Sequence, residues 1–207
     1  AAASARGELV ELDERVRFAL HAQLQGSHAM AKRSAVLAAG QLEDSTAVPL
    51  LVDLLEGQDA ELAQSAHWSL CRITGLALPP RRERWRAWHA TEELWLRSEF
   101  PACATALRGS PGEVFRALQA IGQHRLHREL LAGEVAEVLD NPDPAVRRMA
   151  CAILGQLGSR RSIAVLRERS GDPDPTVAGE AQRALQTLQR PAPPSGSSAR
   201  SPSASRR

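Results

Sequence analysis

The chain has 207 residues, with 26 Lys+Arg against 24 Asp+Glu and a formal net charge of +2. That length is enough to bury a core, and 43% hydrophobic with 24% charged residues excludes a wholly disordered chain. Aromatic residues are 3% with no Tyr, so the core must be built from Ala, Leu, Val and Ile, which favours close-packed helices over an aromatic-rich β-sandwich.

A first helix is expected from about Gly7 to Gln25, capping the stack within a segment 1–27. A repeating pattern follows. Asp143-Pro144-Ala145-Val146-Arg147, then Ala150, Leu154 and Leu157, reappears 31 residues later as Asp174-Pro175-Thr176-Val177, Ala181, Leu185 and Leu188. Asp59, Leu62, Ala66, Leu70 and Ile73 carry the same pattern upstream, and Ala31, Ala35, Ala39 and Leu42 precede them. Each unit reads as two short helices. Asp143 and Asp174 are placed to cap the first, and Pro144 and Pro175 stand at its first position, where a missing N–H costs nothing. Ser110-Pro111-Gly112-Glu113 offers the same start as a capping box. The recurring Ala35, Ala66, Ala150 and Ala181 allow neighbouring helices to approach closely. Repeats are expected over 28–74 and 110–189, the last with only its first helix as a terminal cap.

Between them, at 75–109, the spacing breaks, with the surplus around Leu76–Arg108. Pro80 is placed to open a helix on which Trp85, Trp88 and Trp95 share one face. Such rings pack a core more often than they line a ligand pocket. The alternative is an aromatic pocket for a peptide, sugar or base, with Arg81, Arg82, Arg84 and Arg86 beside it. After Gln189 the composition turns to Pro, Ser and Ala, so 190–207 is expected to be a disordered basic tail. Its four Arg (190, 200, 206, 207) have no acid among them, so the first 189 residues carry 22 basic and 24 acidic groups, a net of −2. A body of that charge fits a phosphate backbone poorly.

The D-P-x-V-R-x-x-A-x-x-x-L-x-x-L pattern resembles the HEAT repeat, in the short 31-residue form of phycobilisome-lyase-type proteins, over about Ala29 to Leu188 apart from the insertion. Ala60 departs from it in place of Pro, and Ala63 and Ala178 in place of Arg. Arg72-Ile73-Thr74-Gly75 with the later W-x-x-W resembles an insertion common in bacterial HEAT-repeat proteins. The resemblance implies an all-α, right-handed α-solenoid of HEAT-like helix pairs, armadillo-like, acting as a non-catalytic protein-binding scaffold with a concave second-helix face. The alternatives it implies are a lyase-like enzyme or accessory subunit, as in bilin-lyase-type HEAT proteins, and a nucleic-acid-binding HEAT-like protein.

Six residues before Asp59, Asp143 and Asp174 stand Asp53, Glu137 and Glu168, acids at one place on the second helix, where a partner's basic segment could lie. Any polar residue would also suit such a solvated face. His124 and His127 lack the further ligands a metal site needs, and the His-Glu dipeptides of di-iron HEAT hydroxylases are absent. Cys71, Cys103 and Cys151 show no CxxC and read as structural thiols. There is no GxSxG, HExxH or phosphate-loop motif, so neither catalysis nor a cofactor is expected. No apolar run is long enough to span a bilayer. A soluble protein is therefore expected, cytoplasmic or exported after removal of a signal, and the start at Ala1 fits either a processed exported protein or a fragment of a longer reading frame, which leaves the compartment open.

Overall fold

The computed structural model describes residues 14–189, and these contain helices and no strand. In chain order they are α1 (Glu14–Gln25), α2 (Ala29–Gln41), α3 (Val48–Leu54), α4 (Ala60–Thr74), α5 (Arg82–Ser98), α6 (Phe100–Ala106), α7 (Pro111–Ile121), α8 (Arg128–Ala136), α9 (Pro144–Leu157), α10 (Ser162–Arg169) and α11 (Pro175–Gln189). Short 3₁₀ turns precede α3 and follow α8. The proposed tail, 190–207, and the start of the N-terminal segment lie outside the described residues.

The starts and stops follow from local chemistry. Asp59 accepts from the N–H groups of Glu61 and Leu62 at 3.0 Å, Asp143 from Ala145 at 2.8 Å, and Asp174 from Thr176 at 2.8 Å. Glu113 accepts from both the backbone N–H and the hydroxyl of Ser110. Gly75 and Gly158 end α4 and α9 at φ 69° and 75°, where a side chain would be strained. The insertion helix opens at Arg82 rather than at Pro80; Pro79 and Pro80 lie in a tight turn before it, closed by the Arg81 N–H on the Pro79 carbonyl at 2.7 Å.

The first helices of successive units stack α2 on α4, α7 on α9 and α9 on α11, while α3, α8 and α10 each back the following first helix. This is an α-solenoid of helix pairs. Two contacts show how tightly the pairs close. A Cβ on Gly40 would stand 2.9 Å from the Ser69 Cα, and one on Gly155 would stand 3.0 Å from the Ala184 Cα. Gly40 and Gly155 each lie five residues after the repeat alanines Ala35 and Ala150, and Ser69 and Ala184 three residues after Ala66 and Ala181. The same glycine-on-small-residue contact therefore recurs at both ends of the molecule.

The buried residues divide into two clusters. One holds Val36, Leu51, Leu70 and Ile73; the other holds Leu118, Leu131, Leu154 and Leu166. The division falls at the insertion, except that Leu126, in the loop before α8, belongs to the first cluster. Helix α5 packs against α3 and α6, and α6 against α7. It supplies Trp85 to the first cluster and Trp95 to the second.

Candidate interaction surface and the junction beneath it

Asp53 lies on α3, Glu168 on α10 and Glu137 on the 3₁₀ turn after α8, all three exposed. Asp53 is engaged: its carboxylate accepts from Arg86 at 2.5 Å and its backbone carbonyl from Arg82 at 2.8 Å, both arginines on α5. The carboxylates of Glu137 and Glu168 have no hydrogen-bond or ion-pair partner among the described residues. They sit 31 residues apart on neighbouring units, since α8 packs against α10. Below them Arg169 bonds Asp140, and Arg147 grips Asp172 with two bonds of 2.9 and 2.8 Å. Arg147 thus holds Asp172 well below the usual carboxylate range.

The tryptophans separate by burial. Trp85 is fully enclosed, edge-on to His67 and Trp88, with its indole N–H lacking an acceptor among the described residues. Trp95 is buried and stacks on the His124 ring at 3.5 Å. Trp88 is half-buried. Trp85 and Trp95 therefore fill core space, while Trp88 reaches the surface.

Sequence reasoning passed over the groups that surround Trp95. Glu92 is buried on α5, with one oxygen accepting the backbone N–H groups of Arg125 and Leu126 at 2.8 and 3.0 Å and the other facing His124 Nδ1 at 3.2 Å. Glu93 meets His127 Nε2 at 2.9 Å, and that hydrogen bond lowers the Glu93 carboxyl pKa. Burial lowers the pKa of His89 beside them. His124 and His127 thus join α5 to the loop before α8. The only sequence signal was one of spacing, since the pairs lie 32 and 34 residues apart, near one repeat length. Among the described residues no group of three His, Cys, Asp or Glu could hold a metal ion.

Cys71 Sγ lies 3.5 Å from His67 Nε2, a spacing that invites comparison with a nucleophile and its base. The same Nε2 is 2.7 Å from the carbonyl oxygen of Leu78, so it must carry the proton and donate, and it has no lone pair for the thiol. Burial raises the Cys71 pKa and pushes Cys151 up to about 11. Neither thiol is activated. No described helix is long and apolar enough to cross a membrane.

The family model for HEAT repeats matches residues 107–192. No curated protein matches the sequence. Solved structures with a similar course include human deoxyhypusine hydroxylase in complex with glycerol, at 20% identity and TM-score 0.41, covering 85% of this chain and 74% of that one. An engineered protein is similar at 16% identity and TM-score 0.36 over 82% and 95% of the two chains. A designed armadillo repeat protein is similar at 14% identity and TM-score 0.36 over 82% and 98%. The matched segment runs from the end of α6 through α7–α11, the part in which capped, proline-started helices recur most regularly. Residues 107–192 thus match the HEAT-repeat model, and they lie in an α-solenoid of helix pairs that runs from α1 to α11.

Proposed function

We propose that the protein is a non-catalytic interaction scaffold, and that a basic segment of a protein partner lies along the second-helix face marked by Asp53, Glu137 and Glu168. The observation that carries this reading is the pair Glu137 and Glu168. Both are exposed, both occupy the same place in neighbouring units, and neither has a counter-ion. Most other acids of the repeats are occupied as helix caps or in ion pairs. Two uncompensated carboxylates on a stacked face attract a cationic segment and repel a nucleic-acid backbone. Asp53 joins this surface only when Arg86 releases it, so its share of the binding is the smaller one.

The test is association of a fluorescent Arg/Lys-rich peptide with the full chain, followed by anisotropy across a salt series. Glu137→Gln with Glu168→Gln should slow association and flatten its salt dependence, because charges at an interface rim act mainly on encounter. Adding Asp53→Asn should change little more. If the double variant associates at the parental rate at low salt, the two glutamates are ordinary solvated residues and the reading fails.

A further inference from the structure

Helix α5 lies on the second-helix face of one unit. Arg82, Trp85 and Arg86 share a turn of α5 and meet α3. Arg86 reaches the Asp53 carboxylate, while Arg82 reaches the Asp53 carbonyl oxygen at 2.8 Å and Glu56 at 3.4 Å. Trp85 packs in one cluster with Leu50 and Leu54. From there α5 runs along the stack, carrying Trp95 into the second core and Glu92 onto the loop before α8. The chain therefore contains a worked case of a basic helix seated on this face.

By repeat position, Asp53 corresponds to Glu137 and Glu168, and Pro49 to Gly133 and Ala164, all exposed. A Cβ on Gly133 would meet nothing within 4 Å, so the space above α8 is open, and Leu130 beside it is 49% exposed. Neighbouring acids are occupied, Glu129 by Arg161 at 3.1 Å, Glu134 by Arg108 at 3.6 Å and Asp140 by Arg169. Arg167 holds the place of the buried Val52 and the half-buried Ala136, so it stands to the side of this face.

An extended segment crossing here would leave its carbonyls unmet. The helices have spent their own N–H groups, and the exposed Gly133 and Ala164 between the two glutamates donate nothing. A helix satisfies its own backbone. Packed helices stand about 8–10 Å apart, and seven helical residues advance about 10.5 Å while returning to the same face. We infer, resting on the acidic face proposed above, that the partner's basic segment binds α8 and α10 as an α-helix laid along the stack, with arginines seven residues apart on Glu137 and Glu168, as α5 lies on α3.

The test uses three fluorescent alanine-rich peptides of one composition, each with two arginines and one proline, titrated against the full chain by anisotropy. The first has arginines seven residues apart and the second five apart, on opposed faces, both with proline at the start; the third has arginines seven apart and proline at the centre, where it breaks the helix. The first should bind about fivefold more tightly than the second, the upper end for one exposed ion pair, and the third should bind more weakly than the first by at least as much. Glu137 is exposed, so Glu137→Gln keeps the fold, and with one acid left the first two peptides should bind it alike. Equal binding of all three peptides to the parent, weakened together by Glu137→Gln with Glu168→Gln, overturns the helix and leaves the acidic face standing. Binding of none of them, or binding that the double variant does not weaken, overturns both.

Discussion

Replacing Glu92 with alanine strips two backbone N–H groups of their acceptor at the seam between the two core clusters. The Leu126 N–H is buried and bonds Glu92 at 3.0 Å, and the Arg125 N–H is partly buried at 2.8 Å. A buried donor left unpaired costs about 1–3 kcal/mol, and a partly wet one less, so the two together come to roughly 3 kcal/mol. Loss of the His124 contact at 3.2 Å loosens the ring stacked on Trp95. Against a typical stability of about 5–15 kcal/mol this is a large share. Glu92→Gln keeps a carbonyl oxygen for both N–H groups and should cost only about 1 kcal/mol. Urea unfolding should be followed by far-ultraviolet circular dichroism and by tryptophan fluorescence. All four tryptophans lie between Trp68 and Trp95, so fluorescence reports the seam while dichroism reports every helix. In Glu92→Ala the fluorescence transition should move to lower urea than the dichroism transition. If the two stay coincident and shift by less than about 0.5 kcal/mol, as at an ordinary surface site, Glu92 does not join the halves.

Two other expectations rest on separate features. Gly155→Ala sets a Cβ 3.0 Å from the Ala184 Cα, and overpacking of about 1–3 kcal/mol should outweigh the ~1 kcal/mol gain in helix propensity. Gly179→Ala on α11 meets nothing within 4 Å and should stabilise by about 0.5–1 kcal/mol; thermal melts that rank the two variants the other way refute the packing account. The Asp172 side chain is fully enclosed and Arg147 holds its pKa below the ordinary aspartate value of 3.8, so between the two values the unfolded chain binds the extra proton and stability rises with pH. Asp172→Asn should cost about 3 kcal/mol near neutrality, and its stability should fall less steeply than the parent's as pH drops below about 3.8; parallel acid limbs in urea titrations exclude the linkage.

The repeat helices were legible because their signals are local. An Asp cap, a Pro at the first position and an apolar stripe at helical spacing each act within one turn, and Asp59, Asp143 and Asp174 make the bonds their positions imply. The shared face of Trp85 and Trp95 was legible for the same reason. Their assignment to two different cores was not, because periodicity gives a face and not its neighbour. The junction of Glu92 and Glu93 with His124 and His127 was not legible, since nothing in the chain marks which polar side chains meet across 32 to 34 residues. Gly40 and Gly155 were passed over although they share one repeat position, because the alanines beside them already accounted for close approach. Asp53 stood in a row by counting, but its capture by Arg86 depends on where α5 folds back.

Helix α5 is one rigid rod whose two ends are anchored in different apolar blocks, by Trp85 and by Trp95. Apart from Leu126, which reaches across into the first block, the rest of the seam is mostly polar: Glu92 on two amides, Glu93 on His127, and Arg128 on Glu43. Apolar blocks resist deformation because any gap forfeits many contacts at once, whereas a seam of hydrogen bonds can lengthen one bond at a time and let water in. Bending of the solenoid under load should therefore concentrate at α5, with the stacks on either side moving as stiff segments. A partner that pulls on both ends would then meet a spring with a single compliant joint, not a uniformly elastic coil.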